Sequence, residues 1–260
     1  MLMTLEDQQF QERAFGGVAR IYGSDALQYF RQAHVIVVGL GGVGSWAAEA
    51  LARTGVGHMT LIDFDHIAPS NINRQLHALT NTCGQAKTIA MQERLLKINP
   101  AIQLGLVDDF LKPENFETHL LKDIHHPTYI LDASDDVRMK TALIVYAQKK
   151  IPLVVCGAAG GKIDPTRICR ADLSESSQDP ILSKIRYTLR RQFGYPKETH
   201  KKMGVRVIYS DEPVKGQGGQ GLACSSYGSA MTVTATMGLA AASEILAQMQ
   251  KKATATIKKS

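Results

Sequence analysis

One short run decides more about this chain than any other stretch. His34-Val-Ile-Val-Val-Gly39, apolar and rich in β-branched residues, passes straight into Leu40-Gly41-Gly42-Val43-Gly44 and an Ala-rich stretch that ends near Arg53. That order predicts a strand, a tight turn and a helix. Glycines let the backbone turn sharply and approach phosphate oxygens, while unpaired N–H groups at the start of the helix favour negative charge. Gly39, Gly41, Gly42 and Gly44 are therefore candidate nucleotide-binding residues. A second predicted strand, His58 to Ile62, delivers Asp63 at the spacing from which a carboxylate grips ribose hydroxyls. Nicotinamide, flavin and ATP proteins all use this arrangement, so it leaves the nucleotide open.

The next residues narrow the choice. A polar loop, Pro69-Ser70-Asn71-Ile72-Asn73-Arg74-Gln75, is followed by Gly84-Gln85-Ala86-Lys87 at the start of another predicted helix. A hydride-transfer site has little use for the cations Arg74 and Lys87. A triphosphate does, because its charge and that of departing pyrophosphate must be stabilised. A third piece follows the predicted strand Thr128 to Leu131, which ends in Asp132-Ala-Ser-Asp135-Asp136 before a helix running to about Lys150. Ligands in such sheets bind beyond the carboxyl ends of the strands, and magnesium takes one or two carboxylates plus substrate phosphates. Asp135 is assigned to that metal. The competing reading is that Asp132 and Asp135 cap the helix, a position Asp favours.

Predicted strands near 34–39, 58–63, 102–107, 128–132 and 152–156 alternate with helical patterns, the signature of an α/β, doubly wound, Rossmann-like and mostly parallel sheet. Further strands at Arg167 to Ala171 and Val205 to Tyr209 extend that sheet with antiparallel members in the C-terminal half. A chain of 260 residues then reads as one domain. Its parts are a nucleotide-binding half (1–165), a substrate and dimer half (166–250) and a basic tail (251–260).

The charge excess of +6 is modest, and its placement says more. From Ile181 to Phe193 the residues Ile181, Leu182, Ile185, Leu189 and Phe193 form one helical stripe, with Lys184, Arg186, Arg190 and Arg191 opposite. Lys197, Lys201 and Lys202 follow, and Lys251, Lys252, Lys258 and Lys259 close the chain. Such cations suit nucleic-acid phosphates; a solvated helix face and a disordered terminus are the plainer reading. Between Asp211 and Gly228 the chain is Gly-rich, a lid or a simple connector. The last helix, Gly228 to about Gln250, carries Glu244 and Thr, Ser and Gln residues, which places it in a protein interior or at a subunit interface rather than in lipid. No leader pattern precedes the first helix, and Cys83, Cys156, Cys169 and Cys224 form no Cys-x-x-Cys pair, so a cytoplasmic protein is expected.

These residues resemble those of the ThiF-like, ubiquitin-activating-type adenylating enzymes, which include the activators of molybdopterin synthase and of the thiamine sulfur carrier. The resemblance spans residues 10–165. It implies that Gly42 and Asp63 hold the nucleotide, that Ser70, Asn71 and Arg74 contact ATP, that Lys87 neutralises phosphate and that Asp135 binds Mg2+. Enzymes of this group that activate protein tails commonly carry paired Cys-x-x-Cys motifs for zinc and often a transfer cysteine; this chain lacks the pairs. Near the N-terminus, Arg13-Ala-Phe15-Gly16-Gly17-Val18-Ala19-Arg20-Ile21-Tyr22-Gly23 replaces the segment that supplies an arginine to the partner subunit's ATP. Arg13 or Arg20 fills that role, or the segment only packs.

The same segment, with Asp164-Pro165-Thr166-Arg167, Gln178-Asp179-Pro180 and Lys202-Met203-Gly204-Val205-Arg206-Val207-Ile208-Tyr209-Ser210, resembles one branch, the tRNA threonylcarbamoyladenosine dehydratases, from residue 6 to residue 248. The branch implies a homodimer acting on tRNA that bears threonylcarbamoyladenosine. It also implies ATP-dependent closure of that group into a ring, with loss of water, through an acyl-adenylate of its carboxylate. Ring closure within one bound molecule needs no enzyme nucleophile, so a transfer cysteine is dispensable. Two alternatives stay open: an activator of a small sulfur carrier's C-terminus, and a nucleotide-binding scaffold for a cysteine-desulfurase or sulfur-acceptor partner.

Overall fold

The computed structural model describes residues 5–120, 126–148, 150–198, 200–214 and 227–257. Lys215, the glycine-rich segment to Gly221, Cys224, Lys258 and Lys259 lie outside the described residues. Helices α1 (Leu5–Tyr22) and α2 (Ser24–Gln32) precede β1 (His34–Val38), α3 (Gly44–Arg53), β2 (His58–Ile62), α4 (Lys87–Ile98) and β3 (Gln103–Val107). The chain continues through α5 (Phe116–Leu120), β4 (Thr128–Asp132), α6 (Val137–Ala147), β5 (Leu153–Cys156) and β6 (Ile168–Asp172). It ends with α7 (Pro180–Gln192), β7 (Arg206–Ser210) and α8 (Met231–Ile257).

One seven-stranded sheet runs through both halves in the order β3-β2-β1-β4-β5-β7-β6. Every pairing is parallel except β6 with β7, so the two C-terminal strands extend the sheet and β6 supplies the antiparallel edge. The β-branched run in β1 is buried on both faces, as a central parallel strand must be. Val35 and Val37 join a core with α2, α3 and α8, while Ile36 and Val38 point into a second one with α5 and α6. A third core holds Ile181, Leu182, Ile185 and Leu189 of α7 against β5 and β7, as the helical stripe predicted. Phe193, the last member of that stripe, lies beyond the helix end and is 45% exposed.

The long apolar C-terminal helix is explained by packing within the chain. α8 crosses α3 so closely that a Cβ on Gly238 would lie 2.4 Å from the Val43 carbonyl oxygen. Its small residues, including Ala241 and Ala242, permit that approach, and Glu244 ties it to the sheet edge through Arg170 (3.0 Å) and Arg206 (3.2 Å). α8 also runs on to Ile257, so Lys251 and Lys252 are helical. Among the described residues no helix is long and apolar enough to cross a membrane.

A buried ion pair fixes the end of β4. Lys140 and Asp132 are both fully buried, with Nζ 3.1 Å from Oδ1. The ammonium also donates to the carbonyl oxygens of Asp132 and Cys156, and Asp132 Oδ1 receives the Ser134 amide and hydroxyl. Asp132 is thus occupied structurally, and the N-cap of α6 is Asp136, which accepts from the amides of Arg138 and Met139. Neither Asp132 nor Asp135 is the cap, because Asp136 stands at the residue where the backbone turns into the helix. Asp135 is left exposed. The loop between β2 and α4 buries His77 at 2% exposure, with neither ring nitrogen hydrogen-bonded among the described residues. Burial, then the charges of Lys87 and Arg94, lower its pKa to about 4.

Two stability measurements follow. Lys140→Met leaves the Asp132 charge buried without its partner and is expected to cost about 3–5 kcal/mol in denaturant unfolding, with most of the loss recovered in Asp132→Asn/Lys140→Met. A loss as large in the double variant would show that packing, not charge, holds this site. His77 is neutral when folded and protonates near pH 6.5 when unfolded, so its contribution is full above that pH and lost as pH falls towards about 4. That loss amounts to about 3 kcal/mol, and His77→Gln should flatten the acid limb of the stability curve by that amount.

Candidate functional site

A cavity of about 730 Å3 opens at the carboxyl ends of β1, β2, β4 and β5. In the strand order, the chain leaves β1 outward to β2 and β3 and returns on the other side at β4, so the cavity lies at the topological switch point where such sheets bind ligands.

The four glycines after β1 divide the work of shaping it. Gly39 takes φ +84°, a conformation L-residues rarely adopt, and a Cβ on Gly44 would lie 1.8 Å from the Gly39 carbonyl oxygen. These two make the turn and seat α3. A Cβ on Gly42 would press on Thr234 at 3.0 Å and on Arg74 Cγ at 3.3 Å, so its bareness lets α8 and the Arg74 loop close over the turn. Gly41 alone faces open space. No side chain caps α3 at its N-cap, Val43, which leaves first-turn N–H groups for an anionic ligand.

Asp63 joins the turn to the end of β2. Its Oδ2 accepts from the Leu40 amide at 2.6 Å and its Oδ1 from the Asp65 amide at 2.9 Å. Burial raises its pKa, opposed by the Lys87 charge and these two amides. Each oxygen keeps lone-pair capacity for a ribose hydroxyl. Lys87, buried at the start of α4, donates to Asp65 Oδ2 at 2.7 Å and lies 3.6 Å from Asp63 Oδ1.

The loop before α4 braces itself. Asn71 Oδ1 accepts from the Ala68 amide, and Arg74 Nη1 donates to the Ser70 carbonyl (2.7 Å) and to Asn73 Oδ1 (2.9 Å). The Arg74 carbonyl in turn receives Trp46 Nε1 from α3 and the Thr234 hydroxyl from α8. This fixes the backbone of Arg74 and leaves Nε and Nη2 without hydrogen bonds among the described residues. Arg74, Asn71, Asp63, Lys87 and Asp135 all line the cavity, together with Gly39, Gly41 and Gly42. Ser70 and Gly44 do not: Ser70 is exposed on the outer turn and contributes its carbonyl, and Gly44 lies under the turn. Arg13 and Arg20 are exposed on α1, and neither lines this cavity.

Several wall residues carried no assignment from sequence. Gln75 is buried at 6% exposure with Oε1 lacking a partner among the described residues. Phe64 and Phe110 stack at 4.5 Å where the cavity meets solvent. Ile181 and Thr234 come from the C-terminal half, far along the chain, where no local pattern could place them. Ile181 is set by Asp179, whose Oδ1 caps α7 at Leu182 and whose Oδ2 accepts from the Ala158 amide at 2.7 Å. A Cβ on Gly157 would strike that Oδ2 at 2.1 Å, so a glycine is required there. Asp179 thereby fastens α7 to the end of β5.

The donor set fits a polyphosphate flanked by two cations, with one open carboxylate for a divalent ion. Asp135 has no hydrogen bond or ion pair among the described residues, and no cluster of three or more His, Cys, Asp or Glu able to hold a metal occurs among them. A single carboxylate suits magnesium, which completes its shell with phosphate oxygens and water.

The ThiF family model matches residues 14–260. The tRNA threonylcarbamoyladenosine dehydratase of Escherichia coli (strain K12) is 46% identical over 255 residues, covering 92% of this chain and 94% of its own. The crystal structure of the E. coli dehydratase in complex with ATP superposes with a TM-score of 0.86 at 46% identity, over 94% of this chain and 96% of that one. The complex of that enzyme with AMP gives 0.85 over the same shares. This chain belongs to the ThiF family, in the branch of the tRNA threonylcarbamoyladenosine dehydratases.

Proposed function

We propose that this protein closes the threonylcarbamoyl group of tRNA threonylcarbamoyladenosine into a ring, spending ATP and releasing AMP and pyrophosphate. The observation that carries the reading is the convergence of Gly41, Asp63, Arg74, Lys87 and Asp135 on one cavity, in a chain alike over 94% of its length to a dehydratase crystallised with ATP and with AMP.

The substrate's carboxylate attacks the α-phosphorus of ATP, pyrophosphate leaves, and an acyl-adenylate forms. Gly41 and the start of α3 take the phosphates, and Asp63 the ribose. Arg74, its backbone held by Trp46 and Thr234, presents Nε and Nη2 to charge moving onto the leaving group. Lys87 exchanges its contact with exposed Asp65 for a phosphate oxygen. Asn71 holds the turn that carries Arg74. Asp135 would hold Mg2+, which supplies charge neutralisation at the phosphates. A nucleophilic atom of the ureido linkage then attacks the acyl carbon, losing its proton, and AMP departs. Holding both groups in one molecule makes this closure entropically easy. In the homodimer that the branch implies, Arg13 or Arg20 of a second copy reaches the nucleotide, since both stand outside the cavity of their own chain. The enzyme acts in the cytoplasm and is built as one domain whose C-terminal half completes the cavity wall.

Incubation with ATP, magnesium and tRNA carrying threonylcarbamoyladenosine, followed by nucleoside mass analysis, should show a loss equal to water with one AMP per ring. Turnover only with a sulfur-carrier tail, or no nucleotide turnover at all, would refute this reading. Arg74→Ala should lower kcat by about 100-fold with an unchanged melting temperature. Lys87→Ala should lower kcat comparably and also lower the melting temperature, because buried Asp63 loses its counter-charge.

A further inference from the structure

The cations of the C-terminal half divide into those committed to the protein and those left for a ligand. Arg186 Nη1 donates to the carbonyls of Leu173 and Ser176 and to the Ser176 hydroxyl, and Arg190 Nε donates to the Pro196 carbonyl. Lys201 pairs with Glu198 at 2.9 Å, and Lys202 lies 3.9 Å from Glu175. Lys184 and Arg191 form no ion pair among the described residues. They flank Tyr187, which is 61% exposed. Arg191 Nη1 donates to the Tyr187 hydroxyl at 2.7 Å, with the guanidinium carbon 5.9 Å from the ring centroid.

Lys184, Tyr187 and Arg191 stand at i, i+3 and i+7 on α7, one stripe of a helix, and span roughly 10 Å along its axis. The stripe begins one turn beyond Ile181, which forms part of the cavity wall. We infer that this stripe is a docking track for an RNA strand, in which Lys184 and Arg191 meet phosphates and the Tyr187 ring stacks on a base. The inference rests on the dehydratase reading for the identity of the RNA, a tRNA anticodon arm.

The chemistry favours RNA over other occupants. A substrate whose carboxylate enters the cavity must leave its RNA outside, and α7 is a surface that starts at the cavity wall and leads away from it. An exposed aromatic between two cations that have no acidic partner among the described residues matches the alternation of base and phosphate in a single strand. The Arg191 hydrogen bond holds the tyrosine ring in place, which lowers the entropy lost when a base stacks on it.

Fluorescence titration of the full chain with an anticodon stem-loop RNA, repeated over a series of salt concentrations, tests the track independently of turnover. In Lys184→Ala/Arg191→Ala the slope of log affinity against log salt should shrink by about 1.4, two single-strand phosphate contacts. Tyr187→Ala should weaken binding about tenfold, while Tyr187→Phe, which keeps the ring, should lose far less. Melting temperatures and KM for ATP should match wild type, because all three side chains are exposed. Wild-type affinity and slope in the variants, or a raised KM for ATP, would overturn the track. Weakened RNA binding in the variants, with no water lost from threonylcarbamoyladenosine in wild type, would support the track and sink the proposed reaction.

Discussion

The carboxylate of Asp63 is the contact on which the site's geometry depends. Through Leu40 it pins the glycine turn to the end of β2, through the Asp65 amide it sets the start of the next loop, and through Lys87 it holds the first turn of α4. Three segments that would otherwise move separately are therefore tied to one buried charge. Burial disfavours that charge and the neighbouring cation and amides favour it, so the group is poised to accept further donors. A ligand hydroxyl is the kind of donor it can take.

Around this contact the protein keeps its cations on short tethers. Lys87 is parked on Asp65, and Arg74 on a carbonyl and an amide of its own loop. Neither is left as a bare buried charge when the cavity is empty of nucleotide, and each has contacts it can trade for phosphate. Deeper down, Lys140 and Asp132 neutralise each other and brace the end of β4, from which Asp135 projects. The structure thus separates a charge pair that supports the floor from charges that line the cavity. Burial makes the distinction: Asp132 is wholly enclosed, whereas Asp135 stands in the open cavity.

The C-terminal half is part of the site and not an appendage to it. β7 joins the parallel sheet directly, α7 is fastened to the end of β5 by Asp179, and α8 brings Thr234 against the glycine turn. The phrases that mark the dehydratase branch fall largely on this scaffolding. Asp179 of Gln178-Asp179-Pro180 caps α7, and Arg206 to Ser210 form β7. Gln178 holds φ +54°, and its carbonyl accepts from buried Lys162.

By itself the sequence determined the strand–turn–helix at Gly39 to Gly44, the alternation that gives a parallel sheet, and the residue types gathered at the strand ends. These follow from local periodicity, glycine chemistry and short spacing, which operate within a few turns of chain. It could not decide which aspartate capped α6, because Asp132, Asp135 and Asp136 are chemically alike and only the course of the backbone separates them. Nor could it sort the cations of α7, since whether Arg186 meets a carbonyl or solvent depends on residues elsewhere in the fold. Gly42 reads as a phosphate-binding glycine in sequence, yet a Cβ there would press at 3.0 Å on Thr234, nearly two hundred positions away. Tertiary structure decided these points because each turns on a distance between segments that no spacing along the chain encodes.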